Sequence, residues 1–183
     1  MRTTSLTSAT GVWNHVRWRM VDGCRPLSND QPCCEAVAPF IHGDTGGEII
    51  VTGASFGAYH AANFALKRAD LFPLAICMSG VYDVTVQGGG HRGDAVYFNN
   101  PMDYVANAGG DHLDWLRRTA SLLLVCGQGQ WEDTTGALES TKAFASRLAA
   151  KEIRHELDVW GHDVPHDWPS WRAQIAHHLP RFC

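Results

Sequence analysis

The sequence predicts an α/β domain on a doubly wound, mostly parallel sheet, and three observations predict it. Short apolar runs with strand character alternate with longer runs patterned as amphipathic helices. The helical runs are about 10–15 residues long, enough for right-handed crossovers between parallel strands. A Gly-x-Ser-x-Gly stretch, Gly53 to Gly57, stands where one strand gives way to a helix.

The bulk numbers agree with that class. At 183 residues the chain suits a single domain spanning 1–183, since compact domains run to roughly 100–200 residues. Hydrophobic residues make up 45% and charged residues 19%, a folded globular composition. No apolar run approaches the ~20 residues needed to cross a bilayer, so no membrane partner is expected. A formal charge of −4 gives no attraction to phosphate backbones or anionic lipid, so no nucleic-acid partner is expected either. The opening MRTTSLTSATGVWNHVRWRM has no apolar h-region and no small-residue cleavage site, so a cytoplasmic location is expected. Of the six cysteines, Cys77 and Cys126 lie in apolar strand-like runs and read as buried thiols.

Taken in order, residues 1–34 are the poorly matched part, with Trp13, Trp18 and the breaker-rich GCRPLSNDQPCC and no clear strand. Glu35 to Ile41 reads as the end of a helix, and His42 to Gly47 as a turn cluster. Glu48 to Thr52, EIIVT, is short, apolar and β-branched, as a strand buried on both faces would be. Ala58 to Ala69 carries helix formers with Tyr59, Ala62, Asn63 and Leu66 on one face. LFPLAICMSG supplies a second strand, and Val81 to Gly110 reads as a turn-rich excursion over the carboxyl edge of the sheet. A helix over His112 to Thr119, the strand SLLLVCG, the helix LESTKAFASRLAAKE and the strand RHELDVW follow. Pro169 suits the first turn of a closing helix over PSWRAQIAHHLPRF.

Gly53-Ala54-Ser55-Phe56-Gly57 has chemical meaning because of its strand-to-helix setting. A serine in that sharp turn is aimed above the sheet, and flanking glycines leave room for the neighbouring backbone. The Phe56 N–H, at the start of the helix, is placed to donate to a developing oxyanion. A serine nucleophile also needs a base, and a third group to orient the base. The last strand runs into Gly161-His162-Asp163-Val164-Pro165-His166-Asp167-Trp168-Pro169, where His162 and His166 compete for the base role. On a helix these two histidines and their carboxylates would suit a metal ion. Gly161 and Pro165 interrupt any such helix, so neither a metal nor another cofactor is expected.

GASFGAY, YFNNP and HDWPSW together resemble the esterase D-type family of the α/β-hydrolase superfamily, over about Gly47 to Phe182. The resemblance implies a serine hydrolase cleaving a small-molecule carboxylic ester through an acyl-enzyme, with Ser55 as nucleophile. It favours His166 over His162, because the family's histidine is closely followed by a tryptophan and a helix with a second aromatic, here Trp168 and Trp171. It places the acid in CGQGQWED, with Asp133 the first choice and Glu132 the alternative; both also suit the start of a helix. Tyr97, Phe98 and Asn99 are candidates for lining a substrate pocket, or for an aromatic plug at the sheet edge.

One departure matters: the family normally places about four strands before the serine motif, whereas 47 residues precede EIIVT here. The expected sheet is therefore shortened on its N-terminal side, leaving an apolar edge open to homodimerisation. An acyltransferase on the same residues, or an inactive remnant of a hydrolase, are the alternative readings.

Overall fold

The structure, a computed structural model, describes residues 49–87 and 93–182, together with the backbone of 5–6 and 16–17. The expected helix end at 35–41, the turn at 42–47, the glycines at 88–90 and the shortened N-terminal side of the sheet lie outside the described residues. A two-residue antiparallel pair, β1 (Ser5–Leu6) with β2 (Val16–Arg17), occurs in the stretch where no clear strand was expected.

The main sheet has four parallel strands in chain order: β3 (Ile50–Ala54), β4 (Leu74–Met78), β5 (Ser121–Cys126) and β6 (Arg154–Val159). The strands β4 and β5 are buried along nearly their whole length, as their continuous apolar sequence requires. Alternate residues feed two cores. Ala75, Cys77, Leu122 and Leu124 meet α1 (Phe56–Lys67), α5 (Gly110–Thr119) and α6 (Ala137–Ala150) through Ala62, Leu116 and Phe144. On the opposite face Ile76, Met78, Leu123 and Val125 pack with Trp171 of α7 (Trp168–His178). The two-faced covering is the doubly wound arrangement. The first crossover helix lies close to the sheet because it turns the small residues Ala58, Ala61, Ala62 and Ala65 inward.

Two local expectations are corrected. The strand β3 runs two residues past the expected end at Thr52, carrying Gly53 and Ala54 into pairing with Cys77 and Met78. The excursion after β4 is helical in pieces: α2 (Val84–Gln87), α3 (Asp94–Tyr97) and α4 (Pro101–Asn107) precede α5. Helices of one or two turns are too short to show a 3.6-residue period, and only Pro101, placed at the start of α4, marked one.

Parallel pairing in register brings the carboxyl ends of the strands level. Ala54 pairs with Met78, Met78 with Val125, and Val125 with Asp158. Ser55 and Ser79 therefore leave the sheet side by side, with Cys126 next in the same row. Among the described residues no helix is long and apolar enough to cross a membrane.

Candidate active site

Ser55 is the single residue between β3 and α1, with φ 53° and ψ −122°. A left-handed φ is costly for a non-glycine residue. Two backbone bonds hold it: Ser55 N–H donates to the Met78 carbonyl at 2.8 Å, and Ala58 N–H donates to the Ser55 carbonyl at 3.0 Å. The glycine at 53 is required by close approach, since a Cβ there would lie 2.1 Å from the Gly57 oxygen. Among the described residues, a Cβ on Gly57 would meet nothing within 4 Å. The expected collision at the flanking glycines is thus found, among the described residues, at Gly53.

The imidazole of His166 bridges Ser55 and a carboxylate. Its Nε2 lies 3.0 Å from Ser55 Oγ, and its Nδ1 lies 2.9 Å from Glu132 Oε2. An ionised carboxylate can only accept, so Nδ1–H donates to Glu132 and the bare Nε2 accepts from the Ser55 hydroxyl. The His166 side chain is nearly buried and that of Glu132 fully so. The Trp171 and His166 rings pack in a T-shape, centroids 5.0 Å apart at 85°.

Two loops make this geometry. After β5, residues 127–132 run against residues 161–166, which follow β6. Gln128 N–H donates to the Gly161 carbonyl at 3.1 Å, Gly129 N–H to Val164 at 2.9 Å, and His166 N–H to Gln130 at 3.0 Å. A Cβ on Gly127 would lie 2.1 Å from the Val164 oxygen, and one on Gly129 2.6 Å from its carbonyl carbon. Both glycines are therefore there for approach.

Glu132 is enclosed by donors. Ser79 Oγ–H donates to Oε1 at 2.5 Å, and the Cys126 thiol approaches Oε2 at 3.5 Å. Burial, then the neighbouring Glu132 charge, pushes the Cys126 thiol up to about 12, so it stays protonated as a donor. Asp167, beside His166, caps α7 by accepting from Ser170 N–H at 2.9 Å, and that bond holds its carboxyl below the usual range.

The other expected residues fall as follows. Asp133, the first-choice acid, is exposed and accepts from Thr134 N–H at 2.8 Å, whereas the carboxylate at hydrogen-bond distance from His166 is that of Glu132, the alternative. Neighbours in sequence here face opposite ways, one into the core and one to solvent. His162 is exposed, with Nδ1 3.3 Å from the Gln128 carbonyl. The segment carrying both histidines is a loop, and among the described residues no cluster of three His, Cys, Asp or Glu could hold a metal. Phe56 opens α1, where backbone N–H groups lack intrahelical acceptors. Its ring is half exposed and stacks on Tyr59 at 5.2 Å. Phe98 is exposed and packs edge-on to Tyr97 at 5.3 Å. Asn99 is tied back to α1: its carbonyl accepts from Tyr59 Oη–H at 2.6 Å and its side chain from Lys67 Nζ at 2.7 Å.

Sequence reasoning missed Ser79, Trp171 as a hydrogen-bond donor, and the paired role of Gly127 and Gly129. The only signals were a serine directly after an apolar strand and two closely spaced glycines after another.

Four parallel strands wrapped by helices on both faces make a doubly wound α/β fold, an architecture that α/β hydrolases share with proteins of other functions. Residues 44–179 match the prolyl oligopeptidase family, and the chain belongs to that family. Among curated proteins, none matches. Solved structures of similar fold include a ferulic acid esterase, 21% identical over 71% of this chain and 48% of that one, TM-score 0.55. A fluorophosphonate-binding serine hydrolase of Staphylococcus aureus is 17% identical over 81% of this chain and 61% of that one, TM-score 0.62. S-formylglutathione hydrolase from Staphylococcus aureus is 19% identical over 81% and 58%, TM-score 0.58. These neighbours share the expected α/β-hydrolase fold. This chain spans between 48% and 61% of their lengths.

Proposed function

We propose that the chain hydrolyses carboxylic esters with Ser55 as nucleophile, His166 as base and Glu132 as the orienting acid. The observation that carries this reading is the unbroken chain from Ser55 Oγ through His166 to the buried Glu132 carboxylate, at 3.0 and 2.9 Å. His166 Nε2 takes the hydroxyl proton as Ser55 Oγ bonds to the ester carbonyl carbon, and the carbonyl electron pair moves onto oxygen. The Phe56 N–H, at the positive end of α1, donates to that oxyanion. Collapse breaks the carbon–oxygen bond to the alcohol, which leaves with the proton from His166. Water then gives a proton to His166 as it bonds to the acyl carbon, and collapse breaks the bond to Ser55 Oγ, which takes that proton back from His166 as the acid is released. Glu132 stabilises the imidazolium in both halves without taking its proton. An alcohol in place of water would make the same residues an acyltransferase.

A second reading, peptide hydrolysis, is favoured by the match to the prolyl oligopeptidase family. Both use the same nucleophile and differ in the leaving group. Purified chain and Ser55→Ala should be assayed side by side on p-nitrophenyl acetate, p-nitrophenyl butyrate and a proline-containing peptide p-nitroanilide. The ester reading expects turnover of the p-nitrophenyl esters, lost in Ser55→Ala, with kcat/KM well above that for the anilide. Preference for the anilide would replace it with the peptidase reading, and a folded chain inert on all three would leave the remnant.

A further inference from the structure

We propose that Ser79 is a positioning residue, whose hydroxyl holds the Glu132 carboxylate in the orientation and charge state that His166 needs. The proposal rests on the reading of Ser55, His166 and Glu132 given above. Ser79 ends β4 as Ser55 ends β3, with nearly the same left-handed φ, 52° against 53°. Its N–H likewise donates to the neighbouring strand, to the Val125 carbonyl at 2.8 Å. Unlike Ser55, it is completely buried.

The direction of every bond around Ser79 follows from its neighbours. The Trp171 indole N–H can only donate, and it donates to Ser79 Oγ at 3.1 Å. The Glu132 carboxylate can only accept, so the Ser79 proton points at Oε1, 2.5 Å away. That leaves Oε2 for His166 Nδ1–H and the Cys126 thiol. Rotation of the carboxylate would break these bonds in a pocket where Glu132 and Ser79 are both wholly excluded from solvent. Trp171 closes the circuit, since the indole that fixes the Ser79 hydroxyl also packs in a T-shape with His166. A glycine would suit the backbone at 79 better than a serine does. What serine adds there is the hydroxyl.

Without it, Oε1 and the Trp171 N–H are both left buried and unpaired. The deprotonated pair loses more than the protonated pair, because imidazolium already satisfies part of the carboxylate charge. The pair then takes up a proton at higher pH. The charged and titratable groups facing it are Asp167, beside His166, and Cys126, against Glu132. The first is a half-buried carboxylate held low and the second a thiol held high, so neither titrates in the neutral range where the shift is read.

The test is the rate of Ser55 phosphonylation by a fluorophosphonate, followed against pH for the full chain, Ser79→Ala, Ser79→Gly and Trp171→Phe, with Ser55→Ala as reference. In this reaction the Ser55 oxygen bonds to phosphorus, fluoride leaves, and His166 takes the proton. Ser79→Ala and Ser79→Gly should both slow labelling roughly 10- to 100-fold, as loss of a hydrogen bond to a charged group predicts. In both, the acid limb should move to higher pH. Trp171→Phe, which keeps the ring and loses the N–H, should move both quantities less in the same direction. Ser79→Gly suits the backbone, so a fold defect confined to Ser79→Ala does not decide the outcome. Labelling of Ser79→Gly at the wild-type rate, with an unmoved acid limb, overturns the positioning role while leaving the reaction intact. Labelling of Ser55→Ala at the wild-type rate overturns the reaction itself, and the positioning role with it.

Discussion

Two stretches run over the carboxyl edge of the sheet, and they are secured by different means. The loops after β5 and β6 bind each other backbone to backbone, at Gln128–Gly161, Gly129–Val164 and Gln130–His166, with two glycines at the points of closest approach. The excursion from α2 to α4 is tied to the rest of the chain through side chains. Tyr59 and Lys67 hold Asn99, Tyr104 Oη–H donates to Asn63, and the Asn100 amide donates to Asp83 and Asp103. Backbone bonds set the separation of two chains without regard to rotamers, and this is the pair of loops that brings Glu132 and His166 together. Side-chain anchoring tolerates substitution and places the exposed Phe98 without demanding a fixed distance from Ser55.

Substitutions can break this comparison, beginning with the largest expected effect. Glu132→Gln should lower kcat on p-nitrophenyl acetate by roughly 10³–10⁴-fold, because an amide no longer holds the required imidazole tautomer. Asp133→Asn, one residue on, should leave kcat/KM within about twofold, as exposed polar changes usually do. Equal losses in the two variants would refute the assignment of Glu132. Gly129→Ala, which drives a methyl into Val164, should cost about 1–3 kcal/mol in a denaturant melt. It should also lower kcat in the protein that remains folded, because His166 is carried on the loop being pushed. Asn99→Ala removes side-chain bonds only. A loss of about 0.5–1.5 kcal/mol is expected, with kcat unchanged. A rise in KM without loss of stability would instead put Asn99 in the substrate pocket.

The smallest effect concerns pH and lies away from both loops. Burial lowers the proton affinity of His178, outweighing the attraction of Asp158 at 2.9 Å, and burial lowers His60 as well. The folded chain therefore binds fewer protons at these rings than the unfolded chain. Their contribution is fully present above the ordinary histidine value of about 6.5 and is lost as pH falls through the lowered folded values. Thermal melts should show Tm falling as pH drops below that value, and His178→Gln should flatten the fall. A Tm profile identical in wild type and His178→Gln would show that the ring is not the source.

How much of this was legible in the sequence depends on the kind of signal. The strands β3, β4 and β5 were legible because short apolar runs have little alternative once helices flank them, β6, RHELDV, because it follows the long helical run of α6, and Ser55 because Gly53 and the strand-to-helix change mark its turn. His166 was separated from His162 only by resemblance, since composition treats the two alike. The choice of Glu132 over Asp133 was not legible. It depends on how the chain winds from Gly129 through Trp131, a non-glycine residue at φ 69°, into α6, which decides which of two adjacent carboxylates turns inward. Ser79 was hidden for a related reason: its partners Glu132 and Trp171 lie 53 and 92 residues away, and only the parallel register sets it beside them.

The central claim is that Ser55 is an activated nucleophile. It is tested most directly by treating the full chain with a fluorophosphonate and mapping the adduct by peptide mass spectrometry. One adduct per chain, on the peptide containing Ser55 and absent from Ser55→Ala, is the result predicted. A folded chain that carries no adduct, or carries it on another residue, would contradict the account.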